Sequence, residues 1–495
     1  MPPPVMLRRG TLLASTVLLS GLLLPSASAV PKDAPASSKG AGALDWRPCT
    51  TVAKDWPIPD DRTECAQLTV PLDYSTPQGR KINVAVSRLK AGKPGSNTIP
   101  LVYGTGGPGL LKVSAPAGVL ETGLSPLAVD HDIVSMDDRG ASYSDKIECD
   151  PGESPDAPPT AGPRERIKAE FDAQSEFNQR CVAKDPEFVR QLTPANAARD
   201  LDSFRQALGA PKIDYYGVSF STAVGIAYRS LFDDRVSHMW LDSVLPPVFD
   251  HSAMDAAIEA VGSPYGSFAQ WLARHDVEYH LGTDPAALTR KLADLRDELD
   301  RKPRVVGDEV MNGDWVVGLA SSTPSGWVTS AIDLVTVLEG GLPEALPKTT
   351  GDAKRRPFGY ETPHGGMNGL QYNAMLCNGA TSPTDFSGLW GALQARRTAD
   401  PLKGSYFSPW CADWPLKVPP TPVKRGTSPL QLSGHTYETV TPFNEAQETQ
   451  KAIGGGLLTV QDDVHSSLSH LPCVSKVLEF FRNGRTTNGT CPGVQ

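Results

Sequence analysis

The chain has 495 residues, 39% hydrophobic and 21% charged, which is enough apolar material for a sizeable core and unlike a disordered polypeptide. A formal net charge of −9, with no long Lys/Arg run to offset it, excludes an electrostatic nucleic-acid binder. Glycine and proline number 45 each without any period, which excludes collagen-like and repeat architectures and points to many turns.

At the N-terminus, Arg8 and Arg9 precede an apolar stretch from Thr11 to Leu24 and the small residues Ala27-Ser28-Ala29. This is the pattern of a signal peptide over residues 1–29, cleaved after Ala29. The apolar run is shorter than the ~20 residues that a membrane span needs. Export to the extracellular space without a lasting membrane anchor is therefore expected. Residues 30–44, rich in Ala, Pro, Ser, Gly and Lys, read as a disordered leader.

From residue 45 to 250 the texture is of short apolar runs between turns. Thr69–Leu72, Ile82–Leu89, Ile99–Tyr103 and Ile133–Met136 read as strands. The third runs into Gly104-Thr105-Gly106-Gly107-Pro108-Gly109 and the fourth into Asp137-Asp138-Arg139-Gly140. A helix is expected around Ala197–Leu208, where Leu201, Phe204 and Leu208 recur at helical spacing. A strand over Lys212–Tyr216 leads into Gly217-Val218-Ser219-Phe220-Ser221, and Val236–Leu241 is the sixth strand. Continuous apolar strands alternating with helices predict an α/β fold with a mostly parallel sheet covered on both faces.

The pattern changes over 251–425. Pro285–Arg301 predicts an amphipathic helix with leucines at 288, 292, 295 and 299 and its proline at the start. Tryptophans 271, 315, 327, 390, 410 and 414 also fall here. Strand-like runs resume at Pro429–Leu432 and Leu457–Gln461, and Val474–Arg482 reads as a closing helix. Two readings fit: consecutive domains, or a core over 45–250 and 426–495 interrupted by a mainly helical cap. The insertion is preferred because the chemistry below draws on both sides of it.

Eight cysteines lie beyond the signal peptide: Cys49, Cys65, Cys149, Cys181, Cys377, Cys411, Cys473 and Cys491. An even number in an exported chain reads as disulfides, although eight cysteines allow 105 connectivities. They fall in four sequential couples, and neighbour pairing is the simplest arrangement. No C-x-x-C spacing occurs, so neither a metal nor a cofactor is expected.

A serine hydroxyl becomes a useful nucleophile only when a base takes its proton and a third group orients that base. Ser219, between a strand and a helix, has the context of a nucleophile elbow, G-x-S-x-G, with serine at 221 in place of the last glycine. The loop Gly106-Gly107-Pro108-Gly109 suits an oxyanion hole, with Gly107 and Phe220 offering backbone N–H groups. No G-K-[ST] follows it, which argues against a phosphate-binding loop. The base is expected at His465, after a late strand, rather than at His470. Glu438 is the expected acid, with Asp462 and Asp463 as solvated alternatives on the loop of the histidine.

In combination these segments resemble the secreted tripeptidyl aminopeptidases of the proline-iminopeptidase-like branch of α/β-hydrolases. The match runs from about Trp46 to Cys491. It includes C-A-Q-L-T-V-P-L-D-Y at 65–74, G-G-P-G at 106–109 and D-D-R-G at 137–140. Its longest stretch, Asp200–Pro247, contains Y-Y-G-V-S-F-S and W-L-D-S-V-L-P-P. The resemblance implies an α/β-hydrolase fold with a helical cap between the sixth and seventh strands, four neighbouring cysteine pairs and the triad Ser219–Glu438–His465. It also implies an exo-acting serine peptidase that removes short peptides from a free N-terminus, with an acidic cap residue binding the substrate ammonium.

The family has Asp where Glu438 stands in D-x-V-T-P. Its G-G-P-G-x-S-G appears here with Leu110-Leu111-Lys112, its S-Y-G as Ser219-Phe220-Ser221, its R-G-x-G as Arg139-Gly140-Ala141-Ser142, and its G-H as Val464-His465. These departures read as added bulk and apolarity near the oxyanion loop, and as a pocket altered for another acyl group. An esterase or tailoring hydrolase for a secreted metabolite is the second expectation, and a catalytically silent binding protein on the same scaffold the third. The expected partner is a peptide or small-molecule acyl substrate.

Overall fold

The ten-stranded sheet at the centre of the molecule is built from β1 (Arg47–Pro48), β2 (Glu64–Pro71), β3 (Lys81–Leu89), β4 (Leu101–Gly104), β5 (Ile133–Met136), β6 (Ile213–Val218), β7 (Val236–Asp242), β10 (Leu430–His435), β11 (Gly456–Gln461) and β12 (Thr490–Pro492). The strand order is β1-β2-β3-β5-β4-β6-β7-β10-β11-β12. β1 to β3 are antiparallel, and β3 meets β5 antiparallel. From β5 to β12 every pairing is parallel. The computed structural model describes residues 44–494 apart from 55, 59, 94–98, 151–156, 159, 262–265, 307–308, 323–325, 344–365, 401, 403–405 and 422. The signal peptide and all of the leader except Leu44 lie outside the described residues.

Both faces of the sheet are covered, as continuous apolar strands require. Along β6 and β7, Tyr215, Met239 and Leu241 enter one apolar cluster with Leu201 and Phe204. Tyr216 and Trp240 enter another on the opposite face, with Phe480. The helix Pro194–Ala207 covers the first face and Val474–Asn483 the second. One long helix, Pro163–Val182, has no counterpart in the sequence reading. Its inward face carries Gln174 and Asn178 among Phe171, Phe177 and Cys181, which hides the apolar period. Asn178 is satisfied by the carbonyls of Trp410 and Ala412, each at 2.9 Å.

β7 and β10 are hydrogen-bonded neighbours, Leu241 opposite Leu432, although the whole stretch from Ser243 to Pro429 lies between them. Among its described residues that stretch is mainly helical, with one small hairpin of β8 (Arg304–Val306) and β9 (Glu309–Met311). The helix Pro285–Arg301 buries Leu288, Leu292, Leu295 and Leu299 in a cluster separate from the sheet. A later part, including Leu370, Met375 and Trp414, joins the core cluster instead. Trp410 packs edge-on against Tyr372, and Trp414 donates to Asn378 Oδ1 at 3.0 Å.

The eight cysteines form four neighbouring disulfides: Cys49–Cys65, Cys149–Cys181, Cys377–Cys411 and Cys473–Cys491.

Candidate active site

β6 ends at Val218 and the helix Phe220–Phe232 starts at once, leaving Ser219 alone in the turn at φ +56°, ψ −128°. A non-glycine residue in that region is strained by roughly 1–3 kcal/mol, and such strain persists only where the surroundings fix it. Here Ser219 N–H donates to Asp242 O at 3.0 Å, while its own carbonyl accepts from Thr222 N–H at 2.8 Å and Thr222 Oγ1 at 2.6 Å. Helix N-terminal N–H groups lack intrahelical partners, so that of Phe220 is available beside the Ser219 hydroxyl.

Glu438 is fully buried after β10. Its Oε1 accepts from His465 Nδ1, from Thr441 N–H at 2.9 Å and from Thr441 Oγ1 at 2.6 Å. Its Oε2 accepts from Ser243 Oγ at 2.9 Å. Nδ1 donating to a carboxylate leaves His465 Nε2 as the basic nitrogen, the tautomer a general base needs. Among the described residues Ser219 Oγ makes no hydrogen bond to His465; in free enzymes such bonds are often long and tighten with substrate.

Ser243 is the residue that sequence reasoning missed here. It sits one position after Asp242, at φ +50°, and besides donating to Glu438 it accepts from Ser466 N–H at 3.0 Å. The segment that holds the Ser219 amide thus also holds Glu438 and the backbone beside His465. The signal was present in W-L-D-S, where a serine directly follows the interior strand β7 that bonds to the elbow.

The structure corrects the reading of Asp462. It is buried rather than solvated, and its Oδ1 lies 2.6 Å from His435 Nδ1. Its Oδ2 accepts from Ser467 Oγ at 2.7 Å. His435 is itself completely buried, with Nε2 3.3 Å from Asp242 Oδ1. Burial pulls the His435 pKa down, but the carboxylates of Asp242 and Asp462 outweigh it and raise it to about 10. Asp463 and His470 are both exposed.

On the opposite side, the glycine loop after β4 lies against the elbow. A side chain at Gly106 would bring Cβ within 2.8 Å of Ser219 Cβ and 3.0 Å of its Oγ. Gly107 takes φ +71° and Gly109 φ +79°, the left-handed region that glycine enters freely. Asp137 fixes the far end of the loop by accepting from the N–H groups of Lys112 at 2.6 Å and Val113 at 3.0 Å. Burial raises its pKa to about 6 against those bonds. The neighbouring Arg139 makes a buried bidentate pair with Asp200, both bonds at 2.7 Å.

The departures from the family motif are not simply bulky and apolar. Lys112 is buried, its ammonium 2.8 Å from Asp138 Oδ2 and 3.2 Å from Ser221 Oγ. Ser221 in turn donates to Thr105 O. Room for its side chain comes from Gly104, where any Cβ would lie 2.7 Å from Ser221 Cβ. Leu110 is partly exposed on the outside of the loop.

His251, Cys377 and Cys411 are the residues whose donor atoms come together with metal-like spacing among those described, but both cysteines are consumed in their disulfide. The Nε2 of His251 lies 2.7 Å from Cys411 Sγ, and burial lowers its pKa to about 4.

Residues 100–321 match the α/β hydrolase fold family, and residues 403–491 match the TAP-like proteins. The chain is 30% identical to a tripeptidyl aminopeptidase of Streptomyces lividans, over 91% of this chain and 87% of that protein. It is 27% identical to the serine protease Hip1 of Mycobacterium tuberculosis (90% and 89% covered). It is also 26% identical to a carboxylesterase B of the same species (96% and 95% covered). The doubly covered parallel sheet, the elbow and this full-length similarity agree: the chain belongs to the tripeptidyl aminopeptidase family of α/β-hydrolases and is a serine hydrolase.

Proposed function

We propose that the chain is a secreted exo-acting aminopeptidase that releases short peptides from a free N-terminus through an acyl-enzyme on Ser219, with His465 as base and Glu438 as its orienting acid. The observation that carries this reading is the buried Glu438 that receives His465 Nδ1, held by Ser243 beside the strained Ser219. His465 Nε2 takes the Ser219 proton as Oγ attacks the carbonyl carbon. The oxygen that gains the charge is met by the N–H groups of Phe220 and Gly107. The imidazolium then protonates the leaving amine, and water hydrolyses the ester by the reverse sequence. The tripeptidyl aminopeptidase names of relatives support the substrate class.

The stretch 251–425 serves as a cap over this site. Supporting this, Asn368 N–H donates to Gly109 O at 3.0 Å, so the insertion touches the loop that carries the oxyanion donor. An acidic residue of the cap binds the substrate ammonium. Secretion is supported by the four disulfides, which form and persist in oxidising compartments. No described helix is long and apolar enough to cross a membrane.

A second reading, esterase action on an apolar acyl group, is favoured by Leu110 on the rim of the loop and by the carboxylesterase name of one relative. A hydrolysis screen separates them: free-amino di- and tripeptide anilides, their N-acetyl forms and short-chain esters, with Ser219→Ala as control. Cleavage of free-amino peptides alone, lost in the variant, supports the aminopeptidase. Ester cleavage alone supports the second reading. Failure of a fluorophosphonate to label Ser219 would leave only a binding role.

A further inference from the structure

Two of the departures from the family motif touch one another. Lys112 Nζ donates to Ser221 Oγ at 3.2 Å, and Ser221 Oγ donates to the carbonyl of Thr105. Thr105 C=O and Gly106 N–H belong to one planar peptide unit, so holding the carbonyl holds the plane that enters Gly106, the residue before Gly107. The same ammonium lies 5.1 Å from the ring centroid of Phe220, the residue whose N–H faces the reacting carbonyl. It is anchored from below by Asp138 at 2.8 Å, while the Lys112 main chain is tied to Asp137. One buried cation therefore bonds to the helix that supplies one oxyanion donor and, through a single hydroxyl, to the loop that supplies the other.

We propose that Lys112 is a positioning residue for acyl transfer, setting the separation of the Gly107 and Phe220 N–H groups through the relay Lys112–Ser221–Thr105. The inference rests on the serine-nucleophile reading of the site. A burial-only role fits the geometry less well. An apolar side chain fills space without a carboxylate and a hydroxyl as partners, whereas a buried ammonium is tolerated only where its bonds are made. In this arrangement Ser221 is an intermediary and not a defect in the elbow. A chain with glycine at both positions has neither the cation nor the hydroxyl, and must hold its loop by other contacts. The relay contributes little to the ground state, because the donors it sets meet their acceptor only as charge develops on the substrate oxygen.

The test measures the rate of Ser219 phosphonylation by a fluorophosphonate, followed by mass shift, in the full chain and in Lys112→Met, Ser221→Ala and the double variant. Melting temperature and turnover of the best substrate from the hydrolysis screen are recorded in parallel. Loss of oxyanion positioning is expected to slow phosphonylation and kcat by roughly 10–10²-fold while KM stays within about threefold. Because both residues act along one relay, the double variant should be no slower than the worse single variant. Full-rate phosphonylation in folded Lys112→Met overturns the proposal, and so do effects that multiply in the double variant. If Lys112→Met does not fold, because Asp138 is left buried without its partner, Ser221→Ala decides alone. That variant breaks the relay at its centre with little change in volume, and an unchanged rate overturns the proposal. A wild-type chain that is not phosphonylated at all removes the serine reading itself, a different failure from a labelled wild type with an equally labelled Lys112→Met.

Discussion

His435 Nδ1 stands 2.6 Å from Asp462 Oδ1, and each of these residues precedes a member of the proposed dyad by three positions: His435 before Glu438, Asp462 before His465. The loops that carry Glu438 and His465 are thus pinned together three residues before each. Asp242, on the other side of the imidazole, belongs to the strand end that holds the Ser219 amide.

This pin makes stability depend on pH with a definite sign. A histidine whose pKa is raised on folding, here to about 10, contributes stability that is complete below its unfolded value of about 6.5. The contribution is lost as pH rises through about 10. His435→Gln is expected to be less stable than wild type by on the order of a few kcal/mol at pH 6, with the gap closing towards pH 10. Denaturant unfolding at several pH values measures it, and a gap that is constant with pH would contradict the assignment of charge to His435.

Ser243→Ala removes one donor to Glu438 and the acceptor of Ser466 N–H, but leaves His465 bonded to Oε1. A fall in kcat of about tenfold is expected, against 10²–10⁴-fold for Glu438→Gln, which disturbs the tautomer itself. Steady-state kinetics on the two variants should preserve that order. Equal losses would mean that Ser243 is as essential as the acid.

Gly106→Ala places a methyl group 2.8 Å from Ser219 Cβ. Displacing the nucleophile by a fraction of an ångström is expected to cost on the order of 10²-fold in kcat/KM with little change in melting temperature. Retention of full activity would show that the loop yields there, and would move the oxyanion donor away from its neighbour Gly107.

Glu445 carries a different pH signature. It is buried, its Oε2 has no hydrogen-bond partner among the described residues, and burial followed by the charges of Glu448 and Glu438 raises its pKa to about 8. A carboxyl with a folded pKa above its unfolded one is stabilising only while protonated, so its favourable contribution fades between about pH 4.5 and 8. Glu445→Gln is therefore expected to melt higher than wild type at pH 8.5 and at nearly the same temperature at pH 4.5. A scanning calorimeter suffices to check both.

What was legible in the sequence was whatever rests on period and local chemistry. The helix Pro285–Arg301 followed from its leucine spacing and initial proline, and Ser219 from a strand running into a helix across a small-residue turn. What was hidden depends on partners distant along the chain. Asp462 looked solvated because its sequence neighbours are polar, whereas its burial comes from His435 on another strand. Lys112 looked like bulk on a loop because nothing local reveals that Asp138 and Ser221 surround it. The helix Pro163–Val182 escaped because Gln174 and Asn178 interrupt its apolar stripe: Gln174 donates to Asn178 one turn on, and Asn178 donates to the distant Trp410 carbonyl.

The long detour between β7 and β10 also governs how the molecule comes into being. Ser433 reaches Asp242 across 191 residues of sequence, and closing a flexible loop of that size costs roughly 5 kcal/mol before any contact offsets it. Until β10 pairs with it, β7 would present an unpaired edge to neighbouring chains. The proposed nucleophile Ser219 precedes the detour, while the proposed acid Glu438 and base His465 follow it, after β10 and β11. On the proposed triad, a chain that stops before Glu438 would hold Ser219 with neither its acid nor its base, so hydrolytic power would require both sides of the detour and a half-made molecule would not cleave its surroundings.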